Sequence, residues 1–262
     1  MINILLILFV KLHLHAGQAA LQPVAVCQKQ NYDQSMVVGH TLCFKGMIKP
    51  QSELVRILKT TNISILVINS PGGYAEPALD AAFIIHNKGI DVYVDGVCGS
   101  SCANYIFLSG RYKYVTKNSI VLWHGSPRDN PEMDTTSSGW TDEEVQIFNA
   151  RLHRVKSRQI ELLRTTGVTP ELLDNPGPAF FKNPVVREQG WTVDDIQSED
   201  MQGKFAWTVG PKRLKKDYGV TGIKEMWYSD ARAMYDLGKS IFGEGFSLIA
   251  YSEPGDADQP PK

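Results

Sequence analysis

Three short segments carry residue types that could do covalent chemistry. Ser101 lies in Gly96-Val97-Cys98-Gly99-Ser100-Ser101-Cys102-Ala103-Asn104, where small residues crowd the junction between a strand and an apolar helix. A serine there gains from the positive end of the helix dipole, which favours developing negative charge. An ordinary serine N-cap has the same appearance. His124 closes Ile120-Val121-Leu122-Trp123-His124-Gly125. A serine needs a base to become nucleophilic, and histidine is the side chain poised near neutral pH. His86 and His153 fall within predicted helices and His40 precedes the first core strand. His124 alone of these ends a core strand, where active sites of open α/β sheets gather. The third segment is Asn69-Ser70-Pro71-Gly72-Gly73, at the carboxyl end of the best strand. Its glycines leave backbone N–H groups unobstructed, able to stabilise an oxyanion or simply to form a turn.

The elements that must position these residues alternate between two periodicities. Thr41–Ile48 reads as a strand and Ser52–Lys59 as a short helix with Leu54, Ile57 and Leu58 inward. Ile63–Asn69 is β-branched and apolar throughout, as expected of a strand covered on both faces. A helix over 75–87 follows, stopped by Lys88-Gly89, then a strand over 91–95, a helix over 101–108 and a strand over 119–123. This alternation predicts βαβ units and an α/β core. Residues 125–140 read as a loop. Thr141-Asp142-Glu143-Glu144 is a capping box opening a helix to about Arg164, with Val145, Phe148, Leu152, Val155, Gln159 and Leu162 on one stripe. Thr169-Pro170 starts a second short helix.

Size and composition bound the rest. With 43% apolar and 21% charged residues, the 262-residue chain can bury a sizeable core as an ordinary globule. A net charge of −1 with scattered Lys and Arg argues against a nucleic-acid partner. The apolar run Ile2–Val10 is too short to span a bilayer comfortably, and small residues follow at Ala16–Ala20. Residues 1–19 therefore read as an export signal, with an uncleaved anchor as the alternative. The protein is expected in the periplasm or outside the cell. Residues 20–40 read as an N-terminal arm, 41–199 as the main domain, 200–251 as a small C-terminal extension and 252–262 as a disordered tail. The four cysteines, Cys27, Cys43, Cys98 and Cys102, suit an oxidising compartment, and proximity suggests the pairs Cys27–Cys43 and Cys98–Cys102. Free thiols and a zinc site are the alternatives. Zinc is the weaker one, since no C-x2-C pair or suitably spaced histidine accompanies them.

The order and spacing of the three segments resemble the Clp protease proteolytic subunit, a member of the Clp/crotonase superfamily. That family has an N-S-P-G-G turn, a serine opening a helix that ends in glycine, and an N-S-x-x-x-x-H strand. Here these are matched by Asn69–Gly73, by Ser101 with a helix ending at Ser109-Gly110, and by Asn118–His124. The likeness continues through Thr165-Thr166-Gly167 and Phe180-Phe181 to Trp191, covering about residues 42–195. It implies a spiral of βαβ units with a long helix, Ser101 as nucleophile and His124 as general base. It also implies an oxyanion hole from Gly73, Gly72 and the Cys102 amide. The family's third residue, an aspartate, falls near Pro178, so Asp174 or the adjacent Asn175 would have to fill that role. The cysteines flanking Ser101 depart from the family's cytosolic members and look like a local staple.

The function expected is a serine hydrolase, a peptidase-like acyl-transfer enzyme acting on peptides or unfolded protein. No cofactor, metal or ATPase partner is expected, and a homo-oligomer is compatible with the ring assembly of the family. The alternative is a catalytically impaired binding or assembly module that keeps the fold. Acyl-CoA chemistry ranks lower, because crotonases need no Ser–His pair. An α/β-hydrolase places its histidine last, and no histidine follows His153. A Ser–Lys site would draw on Lys113 or Lys117.

Overall fold

A strand buried on both faces must alternate its side chains between two separate cores, and the central strands do so. In the computed structural model, residues 22–29, 31–127, 132, 139–173, 205–227, 231–243 and 247–251 are described. The first element among the described residues is a helix α1 over 22–28, followed by β1 (Ser35–Val38) and β2 (Thr41–Lys45). Next come α2 (Glu53–Thr60), β3 (Ile65–Ser70), α3 (Ala75–Lys88) and β4 (Asp91–Gly99). A helix over 101–109, here α4, is wound as π-helix across Cys102–Phe107. It leads to β5 (Lys113–Val115) and β6 (Ile120–Leu122). Leu42, Phe44, Leu66, Ile68, Val92 and Val94 join α2, α3 and α4 in the main core. Their neighbours Cys43, Val67 and Tyr93 face a smaller cluster with Val24 and Cys27 of α1.

The main sheet runs β1-β2-β3-β4-β5-β8, with β6 also paired to β4. Only the β1–β2 pair is antiparallel, so the architecture is α/β with a mixed, mostly parallel sheet. α3 ends where Gly89 turns left-handed at φ +63°, the stop that Lys88-Gly89 predicts. α5 (Asp142–Thr166) carries the complete capping box at Thr141 and Glu144. Val145, Leu152, Val155, Gln159 and Leu162 are buried along it, while Phe148 is half-buried and meets Trp140 edge-on. Arg151 and Arg158 of α5 pair with Glu76 and Asp80 of α3, fixing the two helices together. Pro170–Leu172 is a 3-10 turn.

The N-terminal arm carries α1, which is tied to β2 by the Cys27–Cys43 disulfide and covers the second face of the sheet. The C-terminal segment contributes to the main sheet and core. Its β7 (Phe205–Val209) pairs with β9 (Ser247–Tyr251), α6 (Pro211–Tyr218) follows β7, and β8 (Ile223–Met226) joins the main sheet beside β5. α7 (Ala231–Phe242) packs on β9. Apolar residues at 206, 207, 209, 214 and 248–250 are buried in the main core. Residues 1–19, Asp174, Pro178 and the 252–262 tail lie outside the described residues. Among the described residues, no helix is long and apolar enough to cross a membrane.

Candidate active site

The site begins at a bend in β4. Gly96 has φ +113°, and a side chain there would collide with Asn69. Asn69 Oδ1 accepts from the Val97 N–H at 3.1 Å, and Ser119 Oγ accepts from the Gly96 N–H at 2.7 Å. The asparagine of N-S-P-G-G and the serine of N-S-x-x-x-x-H thus satisfy amides that the bend removes from the sheet ladder. Below the bend Val92–Val94 pair with β5; above it Val97–Gly99 pair with β6. That switch brings β6 alongside the end of β4.

Above the bend, register does the positioning. Gly99 lies beside Leu122, and the Ser100 N–H donates to the Leu122 carbonyl at 3.1 Å. Two residues further along each strand stand Ser101 and His124, at the carboxyl end of the parallel sheet. Ser100 adopts φ +53°, uncommon for a residue with a side chain and frequent where a turn serves a site. Its carbonyl accepts from the Asn104 N–H at 2.8 Å. Ser101 opens α4 and is 4% exposed. The Cys98–Cys102 disulfide, with both sulfurs buried, spans this turn. All four cysteines are paired, so none is available to hold zinc.

The glycine turn is pressed against the same place. A side chain on Gly72 would meet the Gly99 carbonyl and the Ser101 nitrogen. The Gly72 N–H is already engaged, donating to Ser70 Oγ at 3.1 Å. Gly73 bridges Ile48 in parallel fashion: the Ile48 N–H donates to Gly72 O at 2.8 Å, and the Tyr74 N–H donates to Ile48 O at 2.9 Å. In such a bridge the N–H and C=O of the middle residue point away from the partner. Gly73 therefore presents its amide on the free side, and Gly72 does not. The Cys102 N–H belongs to the first turn of α4, where amides lack intrahelical acceptors.

His124 is held through its neighbours. Trp123 is fully buried edge-on to Phe107, and its N–H and C=O bond with Trp207 of β7 at 2.9 and 2.7 Å. Asn104 Nδ2 donates to the Gly125 carbonyl at 2.9 Å. Gln159 Nε2 donates to Ser126 Oγ at 3.0 Å, and Tyr105 OH donates to Gln159 Oε1 at 2.8 Å. The histidine itself is exposed by area, yet enough protein crowds the ring that desolvation lowers its pKa. A bond to its own backbone opposes that effect. Crowding of the ring thus favours its neutral form.

The two candidate residues share one end of the sheet but are not hydrogen-bonded to each other. Ser101 Oγ has no hydrogen-bond partner, and no charged side chain among the described residues is paired with His124. Asp174 lies outside the described residues. Lys113 is no alternative base: it pairs with Val92, seven residues before Gly99 along β4, roughly 20 Å away. Sequence reasoning did not single out Asn104, Gln159, Ser126 or Trp207 as parts of this site. Gln159 carried the one usable signal, an amide on an otherwise apolar stripe. Compared with known proteins, the chain matches no family model and no curated sequence.

Proposed function

We propose that the protein is an exported serine hydrolase of the Clp/crotonase type, an acyl-transfer enzyme acting on peptides or unfolded chains. The observation that carries this reading is the β4–β6 register, which sets Ser101 and His124 two residues beyond paired Gly99 and Leu122. The Gly72 contact with the Ser101 backbone adds an amide donor from Gly73 beside the turn. In the reaction, Ser101 Oγ bonds to the acyl carbon while its proton passes to His124. The Gly73 and Cys102 amides stabilise the oxyanion, and the proton then moves to the leaving amine. Water, activated by His124, hydrolyses the acyl-enzyme and restores the serine. The two disulfides support an exported, oxidising location.

A second reading is a binding or assembly module on the same fold. It is favoured by the unbonded, buried Ser101 Oγ. Fluorophosphonate labelling under oxidising conditions separates the two. Wild type should be labelled, and Ser101→Ala and His124→Ala should each abolish labelling. A folded wild type that takes no label would leave the module.

A further inference from the structure

Three buried polar atoms without a hydrogen-bond partner fall on the two segments of this site: Ser101 Oγ, Asn104 Oδ1 and Trp123 Nε1. Folded proteins leave few such atoms, and each one calls for an explanation. Asn104 is 2% exposed and lies three residues after Ser101, in the first turn of α4. Its Nδ2 already reaches Gly125, the residue after His124, while its Oδ1 has nothing to accept. Among the described residues, no side chain is hydrogen-bonded to the His124 ring. Gly125 has φ +116° and open space where a side chain would stand, so the loop has room to turn.

We propose that Asn104 is the positioning residue that orients His124, its Oδ1 accepting a hydrogen bond from the ring Nδ1–H. This rests on the Ser101–His124 reading. The ring turns onto Oδ1, which fixes the tautomer with the proton on Nδ1. Nε2 is left with its lone pair for the Ser101 hydroxyl. An asparagine fills this role in cysteine–histidine–asparagine sites, where it holds the ring without adding charge. The amide does two jobs at once: Nδ2 pins the loop through Gly125 and Oδ1 aims the ring. Neither requires the carboxylate that the sequence lacks at Pro178.

The test compares wild type with Asn104→Leu and Asn104→Asp in the full, disulfide-bonded chain. The His124 imidazole is titrated by NMR, and fluorophosphonate labelling rates are followed against pH. In Asn104→Asp the imidazole pKa should rise above that of wild type, because a carboxylate now faces Nδ1–H. Labelling should stay within about ten-fold of wild type, its acid limb moved upward with the pKa. In Asn104→Leu labelling should fall at least about 100-fold with the fold retained. An imidazole titration unmoved in Asn104→Asp, or an Asn104→Asp protein as impaired as Asn104→Leu, overturns the proposal. If Asn104→Leu fails to fold, the comparison of wild type with Asn104→Asp decides alone. A shifted titration in a protein that never labels keeps the positioning role and removes the hydrolase reading.

Discussion

A methyl group added to Gly72 would lie 2.5 Å from the Gly99 carbonyl oxygen and 2.9 Å from the Ser101 nitrogen. The residue also holds φ +100°, a conformation that side chains avoid. Gly72→Ala should therefore cost about 2–4 kcal/mol, from backbone strain and overpacking together, measured by urea unfolding. Labelling of Ser101 should fall further than the loss of folded protein explains, because the clash falls on the Ser101 backbone itself. The need for glycine was legible in the sequence, since two glycines after a strand signal a special turn. The purposes of Asn69 and Ser119 were not. Each satisfies an amide of β4, and a contact between residues so far apart in the chain leaves no local pattern. Asn104 was hidden for a similar reason: its partner, the Gly125 carbonyl, lies 21 residues further along the chain.

Among the elements, the long and strongly periodic ones were readable, as were the short β2 and β6, whereas β1, β5, β7, β8 and β9 were not. α3 and α5 announced their ends through Lys88-Gly89 and the Thr141 capping box. β5, with Lys113-Tyr114-Val115, is too short to show a period, and its pairing with Val92–Val94 defines it. The cysteine pairs follow proximity, yet they serve different elements. Cys27–Cys43 anchors α1 across 16 residues and should contribute about 3 kcal/mol to global stability. Cys98–Cys102 closes only four residues and should contribute about 2 kcal/mol, while bracing the turn that carries Ser101. Paired alanine substitutions should separate these roles. The 98/102 variant is expected to lose most labelling with the smaller drop in thermal stability. The 27/43 variant should show the larger stability loss and keep its labelling; the reverse pattern would contradict the assignment.

On the scale of the whole molecule, Lys113 joins parts that are distant in sequence. Its Nζ donates to Gly110 O at 2.7 Å and to Thr221 O at 2.9 Å, clamping the end of α4 to the approach of β8. Burial lowers its pKa from 10.5 to about 8. Between those values the unfolded chain holds the proton more tightly, so raising the pH favours the folded state. Wild type should gain stability relative to Lys113→Met across pH 8 to 10.5, by on the order of 3 kcal/mol, in denaturant titrations at each pH. A constant difference between the two proteins would show that Lys113 stays charged when folded. The C-terminal segment makes a second long-range connection, at Trp207. During synthesis the N-terminal part of a chain emerges first. The strand leading to His124 must therefore wait, its Trp123 backbone groups unclaimed, until some eighty residues later Trp207 arrives to close it. Assembly of this end of the sheet is in this way coupled to completion of the polypeptide, and a chain cut short before β7 would lack the strand that closes Trp123.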